Sequence, residues 1–261
     1  MNFYKIIKSD DIKIKDDALI INSNKFNELA FIQNDVEFNN AKDEQGYFLL
    51  SGGGAYLING RYLTVIKRSP FAKVNPNRLS LFTGRSDGID EILNPTLLLR
   101  ELFEELIIYK DGNLLYPKNT DFQEIIDKAY KNFEHNELIN LNTKRLDMNI
   151  VSIIPSRNIS INGKSFLVDF HVSSNSDINA LFIFNVELEL DNVSFEDGEF
   201  HIENGEKVFH NREIYLIDVV ENVLIDPYTK NNFVLDEFSK SEHLEYILKN
   251  LNQKVKNENN Y

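Results

Sequence analysis

The sequence contains no cysteine. Disulfide bonds, a thiol nucleophile and a zinc–thiolate site are therefore excluded. It also lacks any run of about 18 apolar residues, so we expect no membrane span and no membrane partner. The N-terminus, Met1-Asn2-Phe3-Tyr4-Lys5, does not have the pattern of a signal peptide. Together these absences lead us to expect a cytoplasmic protein.

Positive charge is scarce, since 28 Lys and Arg stand against 41 Asp and Glu, which gives a net charge of −13. Such a surface repels nucleic-acid backbones and argues against long RNA or DNA as the main partner. One stretch has only basic charges: Arg61, Lys67, Arg68, Lys73, Arg78 and Arg85. It is either a solvated hairpin and loop or a cationic wall that faces substrate phosphates. In the second case Lys67, Arg68, Arg78 and Arg85 are the candidate phosphate-binding residues.

The most distinctive pattern is acidic. Glu101, Glu104 and Glu105 stand at i, i+3 and i+4, so a helix would carry all three carboxylates on one face. Like charges this close repel one another unless a cation lies between them. Carboxylate oxygens are ligands that suit Mg²⁺ or Mn²⁺. The competing interpretation is a solvated surface helix, on which such spacing arises by chance.

The flanking residues favour a strand–loop–helix unit. Ala55–Arg68 predicts a hairpin around the turn signal Asn59-Gly60. Leu79–Phe82 predicts a short strand that runs into a glycine loop. Asn94 can cap the acidic helix, and Pro95 stands in its first turn, where proline is tolerated.

The segment from Gly84 to Ile108 resembles the box of the Nudix family, whose pattern is G-x5-E-x7-R-E-U-x-E-E-x-G-U, with U a bulky aliphatic residue. Its core, Arg100-Glu101-Leu102-Phe103-Glu104-Glu105, fits at every position, and Ile108 fits the last one. The loop is two residues longer than the consensus, since six residues rather than five separate Gly84 from Glu91, and eight rather than seven separate Glu91 from Arg100. Ile107 replaces the glycine that usually ends the helix, so the helix either runs on by a turn or stops differently. The resemblance covers roughly residues 50–220.

The resemblance implies an α+β fold, an α/β/α sandwich with a mixed central sheet. Residues 1–45 are expected to form an N-terminal extension whose strands pack on the core. Residues 46–225 would be the Nudix domain, with a helical insertion at about 118–140, and residues 226–261 a C-terminal helix. Apolar residues from Leu244 to Val255 make that helix amphipathic, so it could pack on the domain or pair two subunits in a homodimer. The remaining predicted strands are Ala18–Ile21, Leu29–Ile32, Ile150–Ile154, a hairpin over Ile159–Val172 that turns at Asn162-Gly163, Leu181–Leu190 and Ile214–Val220.

The resemblance also implies a reaction: hydrolysis of a phosphoanhydride bond in a small nucleotide with Mg²⁺ or Mn²⁺ as cofactor. Carried over by position, Glu101 and Glu105 would be direct metal ligands, and Glu104 a ligand directly or through water. The carbonyl of Gly84 would also face the metal, and Arg100 would pair with a box glutamate. Asp90 or Glu91 would orient the loop.

Many members add a glutamate from a later loop as metal ligand or general base, and here the matching region is Glu196–Glu213. Glu203 and Glu206 are the candidates, with Glu206 taken as the catalytic one, although a solvated loop explains each of them more simply. His210 lies in the same region, and its simpler interpretation is a surface histidine.

The substrate is ranked as a nucleoside triphosphate first and an ADP-ribose-like compound or dinucleotide second. Two alternatives stay open. One is removal of the cap from RNA, which the negative charge disfavours. The other is a non-catalytic Nudix domain that senses a nucleotide and binds a partner.

Overall fold

The computed structural model describes residues 4–8, 12–15, 18–21, 29–30, 47–72, 75–85, 102, 105–114, 141–143, 146–153, 158–161, 164–166, 169–174, 177–186 and 190–258. Within them the chain forms 22 strands, numbered here in chain order, and a long helix α1, Glu242–Glu258. These elements give an α+β fold class, as predicted.

Thirteen strands form the largest sheet. Its main path, in spatial order, is β11 (Leu141–Thr143), β12 (Leu146–Ile153), β16 (Asp177–Val186), β5 (Tyr47–Asn59), β6 (Tyr62–Lys67), β20 (Glu213–Asp218), β21 (Val223–Ile225) and β22 (Asn232–Val234). Five strands join this path from the side: β1 (Tyr4–Lys8), β4 (Leu29–Ala30), β7 (Leu79–Ser80), β8 (Phe82–Arg85) and β15 (Asp169–Val172). Because β16 and β5 run parallel while the other pairs are antiparallel, the sheet is mixed.

Three smaller sheets complete the described part. One consists of β10 (Asn113–Leu114), β9 (Leu106–Lys110) and β17 (Val193–Asp197). A second consists of β14 (Lys164–Phe166), β13 (Asn158–Ile161), β3 (Ala18–Ile21) and β2 (Ile12–Lys15). The third is a hairpin of β18 (Phe200–Glu203) and β19 (Glu206–Phe209).

The predicted hairpin at Asn59-Gly60 is confirmed. Asn59 pairs with Tyr62, so Gly60 and Arg61 form a two-residue loop between β5 and β6. Gly60 has a φ of 58°, which glycine adopts at no steric cost. The first strand of this hairpin is longer than predicted, since β5 begins at Tyr47.

The predicted strand Leu79–Phe82 is split in two. β7 pairs with β6, whereas β8 pairs with β5, and the buried Leu81 lies between them. Gly54 of β5 allows this crossing, because a Cβ there would stand 2.9 Å from Cδ1 of Leu81. Gly84 is thereby paired with Gly53, at the centre of the large sheet.

The predicted C-terminal helix is confirmed as α1. Its apolar residues Leu244, Ile247 and Leu248 are buried in the main hydrophobic core, together with residues of the large sheet. The chain reaches α1 through a 3₁₀ turn at Leu235–Glu237 and a short pairing in which Leu79 exchanges backbone hydrogen bonds with residues 239 and 241. Residues 226–241 therefore precede the helix rather than belong to it.

Other strand predictions hold with shifted limits. Strands β3, β4, β12 and β20 lie where strands were predicted, and β16 ends at Val186 rather than at residue 190. The hairpin predicted over Ile159–Val172 ends at Phe166, because β15 pairs with β16 instead. The predicted helical insertion at 118–140 lies outside the described residues. Among those described, no helix is both long and apolar enough to cross a membrane.

Candidate functional site

The acidic helix ends at Glu105. Leu102 and Glu105 are helical and buried, and strand β9 begins at the next residue. Ile107 and Ile108 are strand residues that pair with Glu196 and Phe195 of β17. Isoleucine favours a pleated, buried strand, which explains why the chain leaves the helix here without the box glycine. The helix therefore stops early rather than running on.

The pairing of β9 with β17 brings Asp197 next to Glu105. Asp197 is opposite Leu106, and the backbone N–H of Gly198 donates to the carbonyl of Glu105 at 3.0 Å. Residues 193, 195 and 197 are the buried positions of β17. Asp197 is thus a carboxylate at a core-facing position of the strand, which requires a partner.

Arg212 is that partner. Its Nε donates to Oδ2 of Asp197 at 3.0 Å and its Nη2 to Oδ1 at 2.7 Å, a two-pronged contact. Its backbone N–H donates to the same Oδ2 at 2.7 Å. The side chains of Arg212 and Asp197 are 5% and 1% exposed. Asp197 is therefore fixed by three hydrogen bonds from one residue.

The remaining edge of the guanidinium faces two further carboxylates. Nη1 of Arg212 lies 3.4 Å from Oε1 of Glu105 and forms an ion pair with Oε2 of Glu199. Burial opposes the charge of Arg212, but its hydrogen bonds to Asp197 and the neighbouring carboxylates outweigh that effect and raise its pKa. The guanidinium is therefore a permanent positive charge beside Glu105.

A hairpin brings these groups together. Glu199 directly precedes β18 and His210 directly follows β19, and the backbone N–H of His210 donates to the carbonyl of Glu199 at 3.0 Å. Nδ1 of His210 lies 3.7 Å from Oε2 of Glu199. The backbone N–H of Glu199 donates to Oδ1 of Asp197 at 3.1 Å. We call Glu105, Asp197, Glu199, His210 and Arg212 the Arg212 cluster.

Distances within the Arg212 cluster show which carboxylate is held firmly. The contacts of Asp197 at 2.7 Å have the length of charge-assisted hydrogen bonds, whereas the 3.4 Å contact of Glu105 is long. Three carboxylates, those of Glu105, Asp197 and Glu199, surround the guanidinium of Arg212.

Not all of the predicted metal ligands can be placed. Glu105 is in the Arg212 cluster, and Gly84 lies in β8, but Glu101, Glu104 and the predicted positioning residue Arg100 lie outside the described residues. Within the described part of the chain, no group of three or more His, Cys, Asp or Glu side chains is arranged to hold a metal ion.

The candidates from the later loop lie on an exposed turn. Glu203 and Glu206 pair across the tip of the β18–β19 hairpin, and both are exposed. Asp197 and Glu199 are the acidic residues of this region in the Arg212 cluster, and sequence reasoning missed them. The alternation of Val193, Phe195 and Asp197 was the available signal, since it places the aspartate at a buried position of a strand.

Two of the predicted basic residues have carboxylate partners on or beside β20. Nζ of Lys67 donates to Oε2 of Glu213 at 2.9 Å. Arg61 pairs with Asp218, which is almost fully buried. Arg78 is exposed, and its Nη1 lies 3.4 Å from the carbonyl of Lys240. The charges of Arg61 and Lys67 are thus largely compensated within the fold.

Arg68 has a different environment. Its Nη1 lies 3.4 Å from Oγ1 of Thr83 in β8, and its buried Nε has no hydrogen-bond partner among the described residues. Thr83 precedes Gly84. Lys67 and Arg68 thus contact different neighbouring strands, and Arg68 is the one beside the strand that leads into the glycine loop. Arg85 lies in β8 opposite Gly52, and its side chain is outside the described part.

Comparisons of this chain with protein-family models, with curated proteins and with solved structures found no match.

Proposed function

We propose that this chain is a Nudix-type hydrolase that cleaves a phosphoanhydride bond in a small nucleotide with the help of Mg²⁺ or Mn²⁺. In this proposal the mixed sheet is the centre of an α/β/α sandwich, and β8, the glycine loop and the acidic helix form the catalytic strand–loop–helix. A nucleoside triphosphate is the first substrate class, and an ADP-ribose-like compound or a dinucleotide is the second.

The burial of Glu105 is the observation that carries the proposal. If R-E-L-F-E-E lay on a solvated surface helix, its last glutamate would be exposed, yet Glu105 is only 7% exposed. A buried carboxylate is costly unless it is paired or binds a metal. Arg212 supplies a positive charge, but its short hydrogen bonds go to Asp197. A metal ion held by Glu105 would be a second partner of this buried carboxylate.

The chain's own residues would then have the following roles. Glu101, Glu104 and Glu105, with the carbonyl of Gly84, would hold the metal, which when bound lowers the pKa of a water and neutralises phosphate charge. Arg212 is held in place by Asp197 and in turn positions the carboxylate of Glu105. Arg100 positions another box glutamate.

Arg68 is the best-placed cation for the substrate's phosphates, because it lies beside the strand that leads into Gly84 and has no carboxylate contact within the described part of the chain. Lys67 shares Glu213 with the hydroxyl of Tyr215 and is therefore less available. Arg78 and Arg85 remain further candidates of the same class.

The test is a panel of nucleoside triphosphates, ADP-ribose, dinucleotides and capped RNA, assayed for phosphate, pyrophosphate and nucleoside monophosphate with Mg²⁺, with Mn²⁺ and with EDTA. We expect metal-dependent release from at least one small nucleotide and none with EDTA. Release from capped RNA alone would favour the cap-removing alternative. No release from any compound would contradict the hydrolase proposal.

The non-catalytic alternative is favoured by one observation: Nη1 of Arg212 lies 3.4 Å from Oε1 of Glu105, so a cation of the chain itself faces this carboxylate. A sensor would bind a nucleotide and leave it intact. Calorimetric titration with the same panel, followed by chromatography of the recovered nucleotide, distinguishes binding without turnover from hydrolysis.

A further inference from the structure

Two histidines in contact with one another lie outside the Arg212 cluster. His171 belongs to strand β15, which pairs with β16, and His243 is the second residue of helix α1. Their Nδ1 atoms are 2.9 Å apart, and their rings meet edge to face with centroids 5.0 Å apart. This is hydrogen-bond distance, so one nitrogen donates and the other accepts.

The surrounding contacts fix the start of α1 to the end of β15. Glu242 accepts a hydrogen bond from the backbone N–H of Ser174 at 2.8 Å and another from the hydroxyl of Ser174. One turn further along the helix, the ring of Tyr246 lies 5.0 Å from that of His171. The pair of histidines is therefore the centre of the contact between helix and strand.

The arrangement accepts only one proton between the two facing nitrogens. A second proton would place two N–H groups and two positive charges against each other in a partly buried contact. Among the described residues, His243 faces His171 of β15 and lies next to Glu242 of its own helix, while Tyr246 of that helix faces His171. Glu242 attracts a proton to His243, but burial and the charge of His171 outweigh it and lower the pKa of His243 to about 4.

We propose that His171 and His243 form a pH-sensitive latch that holds the first turn of α1 on β15 and releases it when both imidazoles are protonated. The hydrophobic residues that follow connect this latch to the fold, since Leu244, Ile247 and Leu248 lie in the main core. When the first turn is released, the helix is no longer held to β15 at the point just before these core residues.

The direction of this pH dependence follows from proton binding. His243 has a lower pKa in the docked state than an ordinary histidine, whose pKa is about 6.5, so the released state binds more protons. The latch is fully effective above about pH 6.5 and weakens as the pH falls toward 4. Between pH 7 and pH 5 the docking equilibrium constant should fall about 20-fold.

Amide hydrogen exchange measured by mass spectrometry tests the latch. The protection of residues 244–251 is compared at pH 7 and pH 5 with that of β20 in the same sample, in the wild type and in His171→Gln and His243→Gln. We expect helix protection in the wild type to fall by about 20-fold relative to β20, and each glutamine variant to remove most of that pH dependence. His201→Gln, which changes a histidine of the separate β18–β19 hairpin, is the matched control and should behave as wild type.

The proposal is overturned if the relative protection of the wild-type helix stays constant from pH 7 to pH 5. It is also overturned if the change persists in both glutamine variants. If one variant does not fold, the other variant and the wild-type pH series still test the proposal. Since these readouts concern docking alone, they are independent of any nucleotide hydrolysis.

Discussion

Replacing Arg212 with methionine should destabilise the protein far more than removing an exposed cation such as Lys67. Its side chain is 5% exposed, and those of Asp197 and Glu105 are 1% and 9% exposed. Methionine keeps much of the volume but leaves Asp197 buried without the cation that holds both of its oxygens. Breaking a buried ion pair on one side costs about 3–5 kcal/mol.

Lys67→Met is the matched control. It also removes one cation from an ion pair between strands, but Lys67 and Glu213 are 30% and 55% exposed. Exposed pairs contribute about 0–1 kcal/mol, so this variant should lie close to wild type. Arg212→Lys should fall between the two, because lysine keeps the charge but cannot contact both oxygens of Asp197 at once.

Urea unfolding followed by far-ultraviolet circular dichroism measures these differences, since the chain has no tryptophan for fluorescence. With an unchanged slope, the shift in midpoint reports the change in the free energy of unfolding. The reasoning is refuted if Arg212→Met costs less than about 1 kcal/mol, or no more than Lys67→Met.

Three further predictions concern phosphates, the box arginine and the sheet. Arg68→Ala should raise KM for the best nucleotide more than it lowers kcat, while Lys67→Ala should be nearly silent; equal KM values for both variants and wild type in steady-state assays would contradict this. Arg100→Lys should reduce turnover although the charge is kept, because lysine cannot grip a carboxylate with two bonds, and a wild-type rate would remove Arg100 from the site. Gly54→Ala should cost about 1–3 kcal/mol by crowding Leu81, seen as a lower midpoint of thermal unfolding; an unchanged midpoint would show that Leu81 simply moves aside.

The elements that depend on residues close together in the sequence could be predicted. The turn at Gly60 and the helix α1 follow from a glycine with positive φ and from a 3.6-residue apolar period. The division of the predicted strand at Leu81 could not be predicted in this way. The residues on either side of Leu81 pair with different strands, and tertiary packing decides which strand each of them pairs with. The end of the acidic helix at Glu105 is an intermediate case. The strand preference of Ile107 and Ile108 was visible, but the replacement of the box glycine by Ile107 left open whether the helix runs on by a turn or stops differently.

The Arg212 cluster shows why a site is harder to predict than a motif. Glu105 was identified as a candidate by its spacing from Glu101 and Glu104, and this spacing is a property of one continuous segment. Its partner Arg212 is 107 positions away and reaches it only because β17 pairs with β9 and a hairpin returns the chain. No spacing rule links such residues, so the sequence drew attention to Glu206 at the tip of that hairpin instead.

The most direct test of the central claim is the turnover of Glu105→Gln on the best nucleotide at saturating Mg²⁺. A neutral amide of the same shape binds Mg²⁺ far more weakly, so we predict a loss of two to four orders of magnitude in kcat, or about 3–5 kcal/mol, in a protein with an unchanged dichroism spectrum. Glu245→Gln, at an exposed position of α1, is the matched control and should retain wild-type turnover. Full activity of Glu105→Gln would contradict the assignment of this carboxylate to the metal site.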